Sequence, residues 1–411
     1  MTVDVRTRRD GTGGPVDPAA FFEDELPDSL AEVGAAFDPD AAGLRLRPLT
    51  VAVDDDAWTL TEDEGRLSVR RGPVEGSGNL RLDPAQLSDL VSDQVTPMGW
   101  FSSGRLDLAD CHLAGLLDWW LLLRAALDGV IPHQPGDVDL VDGHGAPLDL
   151  HRSFGSDDDP QEMRRFLEAA GYLHITGVFT EDEMAEVAAD MDRAAPTYRQ
   201  GDGHSWWAKT GDGEQHLVRM QSFDTRSPTV SDLVADNRLQ RIADVPGAGH
   251  QWGARADNRI EALFKPVGVV EGISDVPWHK DCSLGRHSYE CCSVTVGVSV
   301  TGADSVSGQL RVVAGSHRAL VWPAMLQRGL DLPVVDLPTQ TGDLTVHLSC
   351  TLHMAQPPVE RERRVLYTGF GLPPRDPDEG AAAAAARISL RDIREAAPVT
   401  VSQPASAVPA T

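Results

Sequence analysis

The chain has 411 residues, a length that at about 150 residues per domain predicts two or three domains. Hydrophobic residues make up 41% and charged residues 24%, a globular balance that excludes a fibrous or wholly disordered chain. The 63 Asp and Glu residues outnumber the 36 Lys and Arg residues and give a formal charge of -27; this excess repels phosphate backbones and argues against a nucleic-acid partner.

Polar, Gly/Pro-rich and Ala-rich stretches mark the predicted domain boundaries. We predict a flexible N-terminus at 1–28, a first domain at 29–130, a linker at 131–156, a second domain at 157–395 and a disordered tail at 396–411. The five cysteines show no zinc-ligand spacing and, being odd in number, no disulfide framework. The most apolar stretch, Leu113 to Leu127, is too short to span a membrane. A cytoplasmic location is therefore expected.

The first domain is predicted to be α+β. Short strands are expected at 44–53, 57–61 and 66–70, separated by Asp, Glu and Gly. Asp83 and Pro84 form a paired helix-start signal, an N-cap followed by proline at the first helical position. A further strand is expected from Gly104 to Leu108, followed by an apolar helix from Leu113.

The motifs Trp58-Thr59-Leu60, Arg66-Leu67-Ser68-Val69, Pro97-Met98 and Ser103 to Leu108 follow in this order. With them, residues 29–129 resemble the sterol-carrier-protein (lipid-transfer) domain family. The resemblance implies an apolar tunnel for a lipid or acyl group. The alternative is that Trp119 and Trp120 form the core of a module that positions or dimerises the second domain. The sequence sets no oligomeric state.

The second domain is predicted to begin with two helices, the latter starting at the Thr180 to Glu183 capping-box pattern. From Arg259 onward the hydrophobic period becomes two, and Val294, Val296 and Val298 alternate with small or polar residues. Strands are predicted at 292–300, 309–313, 344–348 and 365–370. These predict a mainly-β jelly-roll or cupin-like barrel, a double-stranded β-helix with flanking helices.

His279 and Asp281 are two residues apart, so in an extended strand both side chains point to the same side. His353, just before a Pro-rich turn, is placed to supply a third ligand. Two histidines and one carboxylate on one face are the arrangement of non-haem Fe(II) oxygenases. His347 competes for the third position, but it lies further upstream of the turn and is interpreted as a core histidine.

Arg364 lies eleven residues after His353, at the start of the next predicted strand. Its planar guanidinium group can bind a carboxylate through two parallel hydrogen bonds. A 2-oxoglutarate site needs such a cation for the C5 carboxylate, because the C1 carboxylate and the keto oxygen bind the metal. The pattern therefore predicts both an iron site and a cosubstrate site.

The H-x-D motif, the segment Gly308 to His317, Gly342-Asp343, His353 and Arg364 follow in this order. With them, residues 161–372 resemble the phytanoyl-CoA dioxygenase family. The resemblance implies that His279, Asp281 and His353 bind Fe(II), that Arg364 binds 2-oxoglutarate, and that O2 is the oxidant. It also assigns Lys265 to a basic position before the H-x-D strand.

The reaction that this resemblance implies is hydroxylation of an unactivated C–H bond, with release of succinate and CO2. The expected substrate is a small, lipophilic or carrier-presented molecule. Retention of Asp281 argues against halogenation, which requires a vacant carboxylate position, whereas desaturation and ring closure stay open. The alternative from another class is a lipid-binding or transfer protein with a catalytically silent barrel.

Overall fold

A computed structural model describes residues 15–40, 42–93, 96–102, 106, 111–247, 249–252, 259–272, 274–282 and 293–371. The chain forms two compact units. Unit 1 comprises Met1–Asp139, Lys280–Cys291 and Ser316–Leu332, and unit 2 comprises Leu140–His279, Cys292–Gly315 and Pro333–Thr411. Among the described residues, no helix combines the length and apolarity needed to cross a membrane.

Unit 1 combines helices with one sheet. Its described helices are α1 (Pro18–Ala20), α2 (Leu26–Ala36), α3 (Pro84–Val91), α4 (Pro97–Ser102) and α5 (Leu113–Asp128), with a π-helical turn at Phe21–Glu25 and a 3-10 turn at Ser316–Arg318. Its described strands are β1 (Leu49–Val53), β2 (Asp56–Asp63), β3 (Arg66–Arg71) and β4 (Gly78–Leu82). The sheet order is β3-β2-β1-β4, and only β1 and β4 run parallel.

The predicted helix start at Asp83 is confirmed. Asp83 accepts a hydrogen bond from the Gln86 backbone N–H, and the Gln86 side chain accepts one from the Asp83 backbone N–H, a complete capping box. The predicted helix from Leu113 is also present, and it ends before Gly129 in the left-handed conformation. Apart from Leu106, the predicted strand at 104–108 lies outside the described residues.

The prediction of a flexible N-terminus through residue 28 is wrong from Pro18 onward. Asp17 caps α1, with Pro18 at the first helical position, so the same paired signal as at Asp83 starts this helix. Phe21 and Phe22 are 2% exposed, and Phe22 stacks on Trp58 with ring centroids 5.0 Å apart. This aromatic packing holds the N-terminal helices on the core of unit 1.

Unit 2 is mainly β. Its described helices are α6 (Pro160–Ala170), α7 (Glu181–Ala194), α8 (Pro228–Ala235) and α9 (Asn237–Asp244), with 3-10 turns at Ala195–Thr197 and Phe223–Thr225. Its described strands are β5 (Phe154–Gly155), β6 (Tyr172–Thr176), β7 (Ser205–Thr210), β8 (Gln215–Met220), β9 (Gln251–Trp252), β10 (Glu261–Lys265), β11 (Val269–Glu271), β12 (Val294–Ser299), β13 (Leu310–Val313), β14 (Val334–Leu337), β15 (Leu344–Leu348), β16 (His353–Ala355) and β17 (Arg363–Gly371).

The strands of unit 2 form two sheets. The larger has the order β11-β7-β8-β10-β17-β12-β15-β6-β5, with β9 also paired to β17, and the smaller has the order β14-β13-β16. These mainly antiparallel sheets are consistent with the predicted jelly-roll fold. The predicted strand at 344–348 coincides with β15, and the Thr180 capping box at the start of α7 is confirmed.

The predicted linker at 131–156 is in part folded. Val141 forms an isolated β-bridge with Pro147, and Phe154–Gly155 adds a parallel strand to β6. Phe154 is fully buried and packs edge-on against Phe166 with ring centroids 5.5 Å apart. The end of this stretch is therefore part of unit 2. The predicted tail at 396–411 lies outside the described residues.

Candidate metal centre

Two histidines meet across a short antiparallel bridge. The backbone N–H of His279 donates to the carbonyl of His353 at 2.9 Å, and the reverse hydrogen bond is also 2.9 Å. Directly bridged residues in antiparallel chains carry their side chains on the same face. The ring centroids are accordingly 4.2 Å apart, and the two residues are 6% and 5% exposed.

Asp281 completes the group that the sequence predicts. The ligand atoms of His279, Asp281 and His353 all lie within 4.8 Å of one another, and Asp281 is half-buried. Two atoms that bind one first-row metal ion at about 2.0–2.2 Å are at most about 4.4 Å apart, so small side-chain movements would bring this group onto an ion. Two imidazoles and one carboxylate in this arrangement match the ligand set of non-haem Fe(II) sites.

The two imidazoles are also oriented for metal binding. His279 Nδ1 lies 2.7 Å from the Pro277 carbonyl oxygen, and His353 Nδ1 lies 2.9 Å from the Thr351 carbonyl oxygen. A carbonyl only accepts, so each Nδ1 carries the proton and donates, which leaves the lone pair on Nε2. Hydrogen bonds of this type fix the tautomer and the ring orientation of metal-binding histidines.

His347 lies next to this group without joining it. Its ring centroid is 4.1 Å from that of His353, and the residue is 1% exposed on β15. Within the part of the chain that the structure describes, the group of ligand atoms consists of His279, Asp281 and His353. His347 therefore packs against a candidate ligand, as the sequence predicts for a core histidine.

Arg364 does not lie on the side of the sheet that faces the metal centre. Its guanidinium contacts Asp192 at 2.9 Å and the Ala188 carbonyl at 3.3 Å, both on helix α7, and Glu362 at 3.0 Å. Asp192 is 62% exposed, so this ion pair is near the surface. Arg364, which the sequence predicts to bind 2-oxoglutarate, therefore contacts helix α7 in this structure.

The neighbouring residue, Arg363, faces the other way. Residues Arg363, Val365, Tyr367 and Gly369 share one face of β17, because side chains alternate along a strand. Gly369 is opposite Thr295 on β12, and Thr295 is opposite His347 on β15. Arg363 therefore shares its sheet face with His347, whose ring packs against His353. Arg363 is not among the candidate residues that the sequence pattern selects.

Arg363 is 4% exposed, and its Nε and Nη2 atoms make no hydrogen bond to any residue that the structure describes. Unsatisfied buried donors cost free energy, and those of a guanidinium cost more than those of a neutral group. A bidentate carboxylate would satisfy donors of this geometry. The signal that could have found Arg363 is strand alternation: only one of two adjacent arginines can face the barrel interior.

Lys265 is opposite Arg363 in the register of β10 and β17. It is 2% exposed, and its Nζ donates to the Ser274 carbonyl at 2.5 Å and to Asp275 at 3.0 Å. Burial lowers the pKa of Lys265 to about 8; Asp275 opposes this shift, whereas the charge of Arg363 adds to it. Because Asp275 pairs with the Lys265 ammonium, the positive charge that lacks a partner here is that of Arg363, which favours an anion.

Comparison with known proteins identifies a family that part of this chain resembles. The family model described as phytanoyl-CoA dioxygenase (PhyH) matches residues 167–364. This segment includes all three candidate ligands, Lys265 and Arg363. The match supports a relation between this part of the chain and the phytanoyl-CoA dioxygenase family. The enzymes of that family use Fe(II), 2-oxoglutarate and O2. A search of curated proteins finds no significant match.

Solved structures give partial matches. AviO1 from Streptomyces viridochromogenes Tue57 is 22% identical over 53% of this chain and 97% of its own, with a TM-score of 0.43. The epimerase SnoN from nogalamycin biosynthesis, in complex with Fe3+, alpha ketoglutarate and nogalamycin RO, is 19% identical over 52% and 83%, with a TM-score of 0.41. EctD from S. alaskensis with bound Fe is 18% identical over 55% and 81%, with a TM-score of 0.43.

Proposed function

Because residues 167–364 match the phytanoyl-CoA dioxygenase family, we propose that this chain is an Fe(II)- and 2-oxoglutarate-dependent oxygenase that hydroxylates a C–H bond of a small molecule. The observation that carries the proposal is the group of His279, Asp281 and His353 ligand atoms within 4.8 Å. Both imidazoles are already turned by carbonyl oxygens so that Nε2 is the ligand atom.

His279, Asp281 and His353 would hold the iron from one face and leave three coordination positions for cosubstrate and O2. With these bound, the iron supplies the oxidation of 2-oxoglutarate to succinate and CO2 and the oxidising power that replaces a C–H bond by C–OH. The chain's own part is to fix the ligands, hold the cosubstrate and exclude water from a buried site.

Arg363, rather than Arg364, is proposed to bind the C5 carboxylate of 2-oxoglutarate. It is the buried arginine of the pair, it shares the sheet face that carries His347, and its Nε and Nη2 have no partner among the described residues. Lys265, opposite Arg363, is proposed to add positive charge next to that carboxylate. It keeps its own hydrogen bonds to Ser274 and Asp275, which fix its position.

Hydroxylation is favoured over halogenation because Asp281 occupies the carboxylate position that a halide would need. Desaturation and cyclisation require the same iron site and differ only in how the substrate is placed. A lipophilic or carrier-presented substrate is supported by the resemblance of residues 29–129 to a lipid-transfer domain. Trp58, Trp119 and Trp120, each about 1% exposed, fill the core of that region and favour a structural role for it instead.

An anaerobic titration of the apoprotein with Fe(II) and 2-oxoglutarate tests the proposal. The expected result is the weak visible charge-transfer band that forms when a 2-oxo acid chelates Fe(II). His353→Ala removes one of three protein ligands and should abolish the band. A folded wild-type protein that gives no band would overturn the proposal and favour a lipid-binding protein with a silent barrel.

A further inference from the structure

The segment Ser316–Leu332 lies between strands β13 and β14 of unit 2 but belongs to unit 1. Leu320 is 5% exposed and is part of the same core cluster as α2 and α5. Trp322 and Ala324 pack with Leu117 and Met98 in a second small cluster. A jelly-roll connection has thus become part of the hydrophobic core formed by the first 139 residues.

Polar contacts also fix this segment within unit 1. Trp322 Nε1 donates to Asp118 on α5 at 3.2 Å, and the His133 backbone N–H donates to the Leu320 carbonyl at 3.0 Å. The His133 ring lies 2.6 Å from Asp331. These contacts are spread along the segment, so its position depends on helix α5 and on the chain that follows it.

Lys280 connects the H-x-D motif to this segment. The residue is 0% exposed, and its Nζ donates to the carbonyl oxygens of Ser316 at 3.0 Å and Ala319 at 3.3 Å. Its backbone N–H donates to the Pro323 carbonyl at 3.0 Å. The side chain and the main chain of Lys280 are therefore both held by residues 316–323.

A buried ammonium group is stable only when hydrogen-bonded partners replace its water. The carbonyl oxygens of Ser316, which begins the 3-10 turn, and of Ala319, which follows it, are such acceptors. Lys280 stands between His279, which is in a β-bridge, and Asp281, which is in a turn. When both the side chain and the main chain of Lys280 are fixed, the orientation of Asp281, the next residue, is restricted.

We propose that Lys280 is a positioning residue for Asp281 and that the N-terminal unit, through residues 316–323, supports this metal ligand instead of presenting substrate. The proposal rests on the iron site proposed above. Lys280 and Asp281 both belong to unit 1, as do residues 316–323 and helix α5. Loosening of this core should therefore be detected as weaker metal binding.

The first test is Lys280→Met in the full chain, which keeps the long side chain and removes the charged donor. We expect the affinity for Fe(II) to fall about tenfold, the lower end of the effect of removing a group that orients a metal ligand. Dependence on 2-oxoglutarate at saturating Fe(II) should be unchanged. Lys209→Met is the matched control, because Lys209 is 40% exposed on β7 and should bind Fe(II) as the wild type does.

The second test is hydrogen exchange with and without Fe(II) and 2-oxoglutarate. A ligand that binds through a residue of unit 1 stabilises unit 1. Exchange in residues 113–128 and 316–332 should therefore slow when the metal binds in the wild type and in Lys209→Met. The slowing should be lost in Lys280→Met.

If Lys280→Met does not fold, Trp322→Phe provides the same test from further away, because it removes the hydrogen bond to Asp118 and part of the ring volume but keeps an aromatic ring in the cluster. We expect it to weaken Fe(II) binding by a smaller factor. A folded Lys280→Met with wild-type Fe(II) affinity, or a wild type that forms the band without slower exchange, would overturn the inference. A wild type without the band would overturn the proposed function.

Discussion

The two units each contain a deeply buried arginine, and the two arginines are satisfied in different ways. Arg124 on α5 is 3% exposed and donates twice to Asp128, at 2.7 and 2.9 Å, and to the carbonyl oxygens of Leu90 and Val91. Arg363 on β17 is 4% exposed, yet its Nε and Nη2 have no partner among the described residues.

This difference distinguishes an arginine with hydrogen-bond partners from one that has two donors without a partner among the described residues. Natural proteins pair nearly all buried polar groups, so an exception needs a specific explanation. Arg124 obtains its partners from its own helix and from the end of α3, and nothing remains for a ligand to add. Arg363 lies opposite Lys265, whose ammonium is paired with Asp275 and supplies no acceptor for the arginine.

The largest effect is expected from Arg124→Met, measured as the free energy of unfolding in urea. The substitution leaves Asp128 without its bidentate partner, and breaking a buried pair costs about 3–5 kcal/mol. The folded variant should bind 2-oxoglutarate as the wild type does. Arg71→Met is the control: this arginine is 59% exposed in its ion pairs with Glu23 and Asp56, so its loss should leave the free energy of unfolding nearly unchanged.

Arg363→Met should give the opposite result, with little or no loss of stability in the apoprotein. Replacing a buried, incompletely paired charge with an apolar side chain is often neutral or stabilising. Binding of 2-oxoglutarate should weaken about 100-fold, or about 2.7 kcal/mol, because a buried carboxylate loses its cation. Titration of the visible band with 2-oxoglutarate at saturating Fe(II) measures this effect.

Arg364→Met is the matched control for Arg363→Met. Arg364 is held by Asp192, Glu362 and the Ala188 carbonyl, so its loss should leave the 2-oxoglutarate titration unchanged. Because these ion pairs are partly exposed, the free energy of unfolding should fall only slightly. The opposite result would be that the Arg364 variant loses affinity for 2-oxoglutarate and the Arg363 variant keeps it. In that case the difference between Arg124 and Arg363 would not identify the cosubstrate site.

The close spacing of His279 and Asp281 can be read from the sequence because it is local, and the β-bridge of His279 with His353 adds the third residue of the group. The role of the three residues as metal ligands stays a prediction. The residue that binds the cosubstrate stays a prediction, because counting from His353 does not determine which of the two adjacent arginines faces the candidate ligands. The register of β17 against β10 places Arg363 opposite the buried Lys265, which is why Arg363 is proposed in place of Arg364.

The sequence also missed two features of the fold that depend on distant contacts. The helix at Pro18 has a readable start signal, but its stability comes from Phe22 stacking on Trp58, 36 residues later in the chain. Leu320 and Trp322 lie in a connection between strands. The hydrophobic pattern of that connection does not indicate that they pack in unit 1. Hydrophobic period describes which face of an element is buried, and it does not identify the partner.

The smallest predicted effect concerns Asp118, a buried carboxyl in unit 1 whose partners are uncharged donors, the Arg45 backbone N–H and Trp322 Nε1. Burial raises the pKa of Asp118 to about 6. A raised folded-state pKa means that the carboxyl contributes stability while protonated, and that this contribution is lost as the pH rises from about 4 through about 6. The free energy of unfolding of Asp118→Asn, taken relative to that of the wild type, should therefore be about 1–2 kcal/mol higher at pH 7.5 than at pH 4.5. This figure is reduced for partial solvent screening.

Urea unfolding of wild type and Asp118→Asn at both pH values measures this difference, with Asp24→Asn as a control on an exposed carboxylate of the same unit. Arg124 and Asp118 are both buried charged groups of unit 1, but their partners differ. Arg124 has a carboxylate partner and depends on it, whereas Asp118 is buried against neutral donors and is destabilised by its own charge. A stability difference that did not change with pH would show that the pKa of Asp118 is not raised in the folded state, because water solvates its charge there.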